Sequence, residues 1–420
     1  MPSRPGSVGG SAATWAWTPT PRPVTTRHPS RSSSLLIMPR PHAAALLEDA
    51  YNGRKSKVLR SRGWATRVVP LTGYGSVSQL RVFARVIMTQ AQRDDTEEDT
   101  HLARLRAVEL DTRGWRAFFT TPAVEEKVTI RVNERIITAR TDRGGFIDLT
   151  VRGHGLGPGW HRIFIGSPNA ETIDVPVLVV GTTVTHGIVS DIDDTVLSTS
   201  LPRPMIAAWN TFLRSEGARK PVPGMATMYR ELLAEHPDAP VIYLSTGAWN
   251  TSPWLTRFLR RNGYPDGPML LTDWGPTNTG WFRSGQEHKH AQLHRLAREL
   301  PHVKWLLIGD DGQHDPKIYT EFTTRKPDHV RGIAIRELSP GEQVLSHVIP
   351  VANDDLVPAP TEDLDVPVVR APDGYGLAAQ VRGLWEDDSP DRTLARRASA
   401  TTFASFDDPP DYLVDEPDER

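Results

Sequence analysis

Residues 187–199 read Gly-Ile-Val-Ser-Asp-Ile-Asp-Asp-Thr-Val-Leu-Ser-Thr. The apolar pair Ile188 and Val189 reads as the end of a short buried strand, which delivers Asp191, Asp193 and Asp194 into the loop that follows. Carboxylates this close repel one another, so a folded chain keeps them together only with something positive between them. A hard cation such as Mg²⁺, held by one or two carboxylates and by phosphate oxygens of a substrate, meets that need. Asp191 is then the candidate nucleophile, and Asp193, two residues along the extended loop, the candidate proton donor. A strand running into an acidic solvated turn is the plainer alternative, and D-x-D-x-T alone does not decide between them.

Downstream of this stretch the rhythm is strand, helix, strand. Residues 227–236, 252–262 and 287–300 read as amphipathic helices, and 239–245, 303–309 and 330–335 as buried apolar strands. Such alternation predicts a Rossmann-like parallel sheet with helices on both faces and ligands beyond the carboxyl ends of the strands. Asp191, Ser245 and Asp310 all fall at that end.

Upstream the period is two. Residues 66–71, 79–88, 127–132, 135–140, 145–151 and 161–165 are short, rich in β-branched and aromatic residues, and separated by Gly, Asn and Asp turns. They predict an all-β, sandwich-like domain over 65–183, with a polar acidic hairpin insertion at 90–101. His154 and His161 flank a Gly-rich turn and read as exposed loop histidines rather than metal ligands. A helix is predicted within 41–64, ending in Lys and Arg as its negative end favours. Residues 1–40, rich in Ser, Thr, Pro and Arg without periodicity, read as a disordered tail, with Met38 an alternative start. The α/β domain spans 184–346. Residues 347–420, with Pro358, Pro360, Pro367 and Pro372 and many acids, read as a disordered acidic tail containing one apolar island, 374–385.

Composition narrows the class. A length of 420 residues exceeds one usual core, and a net charge of −2 gives no drive towards nucleic acid. The absence of cysteine excludes disulfides, thiolate metal sites and cysteine nucleophiles, and suits a reducing cytoplasm. The longest apolar run near the N-terminus, Leu35–Met38, is far short of a signal core or a membrane span.

Three further stations follow the acidic loop. Ser245 ends the run Val-Ile-Tyr-Leu-Ser (241–245), where a hydroxyl and loop N–H groups can hold a phosphoryl oxygen. Lys289 lies in His-Lys-His at a helix start, where a plain surface lysine is the alternative. Leu306–Lys317 reads L-L-I-G-D-D-G-Q-H-D-P-K, a strand ending in Asp310 and Asp311 with Asp315 five residues past the first, able to complete a metal's oxygen shell. This order resembles the haloacid dehalogenase superfamily. More closely, 190–196, 219–225, 243–250 and 307–319 resemble the catalytic domain of the actin-patch-associated phosphatidate phosphatases and their bacterial relatives, over about residues 184–340. Two departures stand out: Ser-Thr-Gly-Ala-Trp at 245–249 replaces Ser-Asn-Ser-Pro-Trp, and Asp311 replaces a small hydroxyl residue.

The resemblance implies a Mg²⁺-dependent phosphatase that forms an aspartyl-phosphate on Asp191, with Asp193 as acid and then base. It implies metal ligation by Asp191, Asp310 and the backbone carbonyl of Asp193, phosphate contacts from Ser245 and Lys289, and supporting places for Asp311, Asp315 and Thr195. The substrate it implies is a phosphomonoester, foremost phosphatidate or a related lipid phosphate. A soluble phosphomonoester and a non-catalytic binding role of the β-rich domain are the alternatives. Residues 201–222, with Met205, Trp209, Phe212, Arg214, Arg219 and Lys220, read either as an apolar, basic flap meeting lipid at a membrane surface or as a helix packed on the sheet. Trp274, Trp281, Phe282 and Arg283 read as a lid or membrane-touching rim, or as a loop folded on its own aromatics.

Overall fold

The computed structural model describes residues 58–59, 61–90, 121–199, 219–272, 285–312, 314–346 and 364–386. The expected N-terminal tail, most of the helix within 41–64, the insertion at 90–101, most of the flap at 201–222 and the aromatic loop at 274–283 lie outside these residues.

The β-rich part comprises β1 (Trp64–Ser76), β2 (Gln79–Gln90), β3 (Thr121–Pro122), β4 (Lys127–Val132), β5 (Arg135–Arg140), β6 (Phe146–Arg152), β7 (Gly159–Ser167) and β8 (Ala170–Val180). Alternation sends every second residue inward, as in β4, where Val128, Ile130 and Val132 are buried and their neighbours exposed. The expected pair of facing sheets is corrected. All eight strands join one hydrogen-bonded sheet, in the order β3-β2-β1-β8-β7-β4-β5 with β6 also on β2. Inner residues of β2 and β4, four places apart in that order, share one core with Ile147, Ile163 and Val177, so the sheet curls over itself. His154 is corrected too: it is buried, its Nε2 donating to the Ser76 carbonyl and its Nδ1 accepting from Leu156 N–H.

The second part is a six-stranded parallel sheet. Its strands are β9 (His186–Ser190), β12 (Val241–Ala248), β13 (Met269–Thr272), β14 (Lys304–Asp310), β15 (Val330–Arg336) and β16 (Val368–Ala371), ordered β13-β12-β9-β14-β15-β16. A two-stranded ribbon of β10 (Leu197–Thr199) and β11 (Arg219–Pro221) follows β9. Helices α1 (Met225–Glu235), α2 (Ser252–Arg261) and α6 (Gly374–Trp385) cover one face, and α3 (Gly285–Glu299) and α4 (Asp315–Arg325) the other. A short α5 (Pro340–Ser346) follows β15. The α3 and α4 face also receives Leu71, Tyr74, Phe83, Leu178 and Val180 of the curled sheet, so a single apolar core spans the two sheets. Among the described residues no helix is long and apolar enough to cross a membrane.

The acidic-tail expectation is corrected over 364–386. Val368–Ala371 adds the sixth parallel strand, beside β15, and the apolar island is a helix capped by Asp373, whose side chain accepts from Gly376 N–H. Prolines and acids masked this segment because composition averages over the linker before it. Gly374 packs against the backbone of Gly224 and Met225, where an added Cβ would stand 2.1 Å from Met225 N. Trp385 is fully buried and its indole N–H donates to the Leu232 carbonyl at 2.8 Å. Trp385→Ala is therefore expected to lower unfolding free energy by about 3–5 kcal/mol in urea denaturation. A residue of a loosely attached tail would change it by no more than about 0.5 kcal/mol.

Candidate active site

The strand order makes β9 and β14 neighbours from which the chain departs in opposite directions, the switch point where open α/β sheets hold ligands. Every residue of β9 is buried, and Asp191 N–H continues its ladder by donating to the Ile308 carbonyl of β14 at 2.8 Å. Asp191 thus leaves one strand beside the end of the next, where Asp310 stands. The chain then turns sharply. Asp194 adopts φ 60°, a left-handed conformation that aspartate tolerates better than most residues, and its N–H donates to the Leu197 carbonyl.

Asp191, Asp310 and Asp315 offer carboxylate oxygens that all lie within 4.8 Å of one another, and each residue is at most 1% exposed. Asp315 heads α4, where the helix dipole favours an anion, and lies against Gly309, whose missing Cβ would meet its carboxylate at 2.6 Å. Lys289, also buried, donates through Nζ to Asp191 Oδ1 at 2.6 Å and to Asp315 Oδ1 at 2.5 Å. The surface-lysine alternative is thereby removed.

One ammonium faces three buried carboxylates, and the imbalance shows in the protonation equilibria. Burial pushes Asp191 up to about 8 although Lys289 opposes the rise, with Asp315 and Asp193 adding repulsion. Burial, then Asp315 and Asp191, push Asp310 well above the usual carboxylate range. Burial works against the Lys289 charge, but the two aspartates outweigh it and hold the ammonium above its ordinary value. Asp191 Oδ2 and Asp315 Oδ2 are buried without a hydrogen-bond partner. Unpartnered hard oxygens around surplus negative charge are the donor set that a divalent cation satisfies, so these residues fit a metal of that class.

The other expected residues fall around this cluster. Ser245 is buried within β12, where the pairing with β13 shifts register, its Oγ donating to Asp193 Oδ2 at 3.0 Å and accepting from Gly247 N–H at 2.9 Å. Thr195 Oγ1 lies 3.5 Å from Asp310 Oδ2, and Gly312 N–H donates to Asp310 Oδ1 at 2.8 Å. Asp311 is set apart, accepting from Leu338 N–H at 2.8 Å. Sequence reasoning missed Arg336, the last residue of β15. Its guanidinium donates to the Asp194 carbonyl at 2.7 Å and to Glu342 Oε1 at 2.7 Å, fixing the acidic loop after β9 from two strands away. A charged residue closing an apolar run was the available signal. Arg219 entered the sequence reading only as a flap cation. Here it lies over the Trp254 ring at 4.7 Å, with burial lowering its pKa and Asp193 and Asp194 opposing that effect.

Residues 186–337 match the family described as phosphatidate phosphatase APP1, catalytic domain. Each residue of the cluster, together with Asp193, Thr195 and Ser245, falls inside that segment. Phosphatidate phosphatase APP1 of Saccharomyces cerevisiae is 26% identical over 151 residues, which supports a phosphatidate phosphatase-like relationship, and an uncharacterised protein of Schizosaccharomyces pombe is 27% identical over 152 residues. Each alignment takes in 36% of this chain and 25% of the relative, so the chain spans about a quarter of the length of either. The matched segment is a relative of a phosphatase-type hydrolase domain. A solved structure of a carbohydrate acetylesterase from Xanthomonas citri aligns over 66% of this chain and 72% of its own, at 9% identity. Its TM-score of 0.24 is too low to carry an argument.

Proposed function

We propose that the chain hydrolyses a phosphomonoester by haloacid dehalogenase-type chemistry, with phosphatidate or a related lipid phosphate as the substrate class. The observation that carries this reading is the buried Lys289 bridging Asp191 and Asp315 beside Asp310. An ammonium locked between two carboxylates orients a nucleophile, and the shared charge leaves room for an anionic substrate only where further positive charge is supplied. Bound at Asp191, Asp310 and the Asp193 carbonyl, Mg²⁺ would supply that charge at the phosphoryl group.

The rest is work for the chain's own residues. An Asp191 oxygen bonds to phosphorus as the bond to the departing alkoxide breaks, and Asp193 delivers a proton to that oxygen. In the second step Asp193 takes a proton from water, the water oxygen bonds to phosphorus, and Asp191 is released with inorganic phosphate. Lys289 has three N–H donors, two of them committed to Asp191 and Asp315, which leaves one for a phosphoryl oxygen. Ser245 has a single O–H, given to Asp193 Oδ2 in the free chain, and becomes the second donor when substrate draws that hydrogen away from Asp193, each such contact being worth about 3 kcal/mol in the transition state. Asp315 orients Lys289, Thr195 supports Asp310, and Asp311, outside the cluster, holds the Leu338 backbone. A cytoplasmic enzyme that meets lipid peripherally is the setting this reading implies.

The test is phosphate release by the full chain with Mg²⁺ and with EDTA, offering phosphatidate in mixed micelles alongside sugar and nucleotide phosphates. Mg²⁺-dependent turnover is expected, with phosphatidate hydrolysed at the highest kcat/KM. Faster turnover of a soluble ester would replace the lipid assignment, and activity undiminished by EDTA would overturn the metal.

A further inference from the structure

The curled β-rich sheet meets two parts of the site at once. The last residues of β12, from Ser245 to Ala248, run directly into Trp249, and the Trp249 ring packs against Phe83 of β2 and Phe146 of β6, at centroid distances of 5.7 and 5.8 Å. Arg81 lies over the Phe83 ring at 4.5 Å, and Arg85 over Phe146 at 5.1 Å. The second contact is with α3, the helix that carries Lys289. Arg81, 5% exposed, donates to Gln292 Oε1 at 2.9 Å, one helical turn beyond Lys289. The same guanidinium is held by Asp148 at 2.8 and 2.6 Å and donates to the Tyr74 hydroxyl, which in turn donates to Glu299 at the end of α3. Arg295 adds a contact to Asp148 at 3.6 Å.

Gln292, Arg295 and Glu299 recur at spacings of three and four residues, so one stripe of α3 faces the curled sheet along its length. Lys289 lies one turn before that stripe. Rotation or sliding of α3 would therefore move the Lys289 ammonium relative to Asp191 and Asp315, and the stripe's polar contacts oppose both. The β12 segment that holds Ser245 is irregular, its pairing with β13 shifting register between Leu244 and Ala248, so the ladder alone does not fix Ser245 against Asp193. Trp249, seated between two rings of another sheet, anchors that segment's far end.

We infer that the β-rich domain is an intramolecular brace of the active site, with Arg81 and Phe146 as positioning residues that act through Gln292 and Trp249 on Lys289 and Ser245. The inference rests on the proposed phosphatase reading for its catalytic consequence, while its structural consequence stands without it. A brace explains why the contact is a buried, charged and aromatic junction rather than a wet linker, since domains joined only by a linker move independently.

Two measurements on the full chain test it. With p-nitrophenyl phosphate and Mg²⁺, Phe146→Ala and Arg81→Met are each expected to lower kcat about 10–100-fold, the range that a 1 Å misplacement produces, with KM changing by less than about threefold. Phe146→Tyr, which keeps the ring, restores kcat to within about threefold of wild type. Amide hydrogen exchange, read in the same variants without substrate, is expected to quicken about tenfold or more over 244–249 for Phe146→Ala and over 285–292 for Arg81→Met, with β14 unchanged. Unchanged exchange in both segments overturns the brace. Exchange that quickens uniformly across β14 as well also overturns it, because the junction would then be general stability rather than positioning. A wild type inactive on both p-nitrophenyl phosphate and phosphatidate whose exchange behaves as expected refutes the phosphatase reading and leaves the brace standing.

Discussion

Asp191→Asn abolishes phosphate release, by about a thousandfold or more in kcat, while the chain stays folded. The size follows from the role: an amide cannot form the covalent intermediate, and removal of a nucleophile typically leaves only what binding and charge stabilisation provide. The fold is expected to gain where the activity is lost. In metal-free protein the folded-state pKa of Asp191 lies above its unfolded value, at about 8 against 3.8. Its carboxyl thus binds a proton more tightly when folded. The cost of ionising it is absent below about pH 4, grows as pH rises between the two values, and is fully present above about pH 8. Asn carries no such cost. With EDTA present, Asp191→Asn should therefore have a higher Tm than wild type at pH 8, and the gap should narrow at pH 5. Thermal melts at both pH values check this, beside the activity assay. Retained turnover would remove Asp191 from the nucleophile's role, and a lower Tm at pH 8 would mean that Asp191 is not buried beside surplus negative charge.

The parallel sheet and the contents of the site were legible because each depends on residues close together in sequence. Asp191 and Asp193 end one apolar run, Ser245 another and Asp310 a third, and strand ends of a parallel sheet share one edge whatever the details. Which carboxylates touch was not legible. Asp193 lies with Ser245, whereas Asp315 joins Asp191 through Lys289, and nothing in a string of aspartates separates the two outcomes. Alternation in the β-rich region gave six of the eight strands, missing β3 and β8, and none of their partners. β1 pairs in parallel with β8, about a hundred residues away, and a period of two carries no information on that pairing. The same limit hid β16 and α6, whose place depends on Gly374 meeting Gly224 and on Trp385 reaching Leu232. Arg336 and Arg81 went unseen for a related reason. A buried arginine looks like any surface one until its acceptors, the Asp194 carbonyl and Gln292, are brought from elsewhere in the chain.

Lys289→Met tests the charge balance itself. Methionine is unbranched and apolar, so it can occupy the lysine's path without a new buried donor. What it removes is the one cation within hydrogen-bond reach of Asp191 and Asp315 among the described residues. Breaking a buried ion pair from one side costs about 3–5 kcal/mol, because the abandoned charges stay out of water. Asp191 has an escape, which is to take up a proton, and this fixes the pH dependence. Without Lys289 the pKa of Asp191 rises further, since the lysine is what opposes the effect of burial. A raised folded-state pKa gives stability that is intact at low pH and lost as pH climbs. The destabilisation should therefore be large at pH 8 and small at pH 5, read by urea denaturation in EDTA. Added Mg²⁺ should recover part of it at pH 8 by replacing the missing charge, while phosphatase activity stays down about a hundredfold or more, because the donor aimed at the phosphoryl oxygen is gone. A loss of stability equal at both pH values would point to packing alone and would take Lys289 out of the electrostatic account.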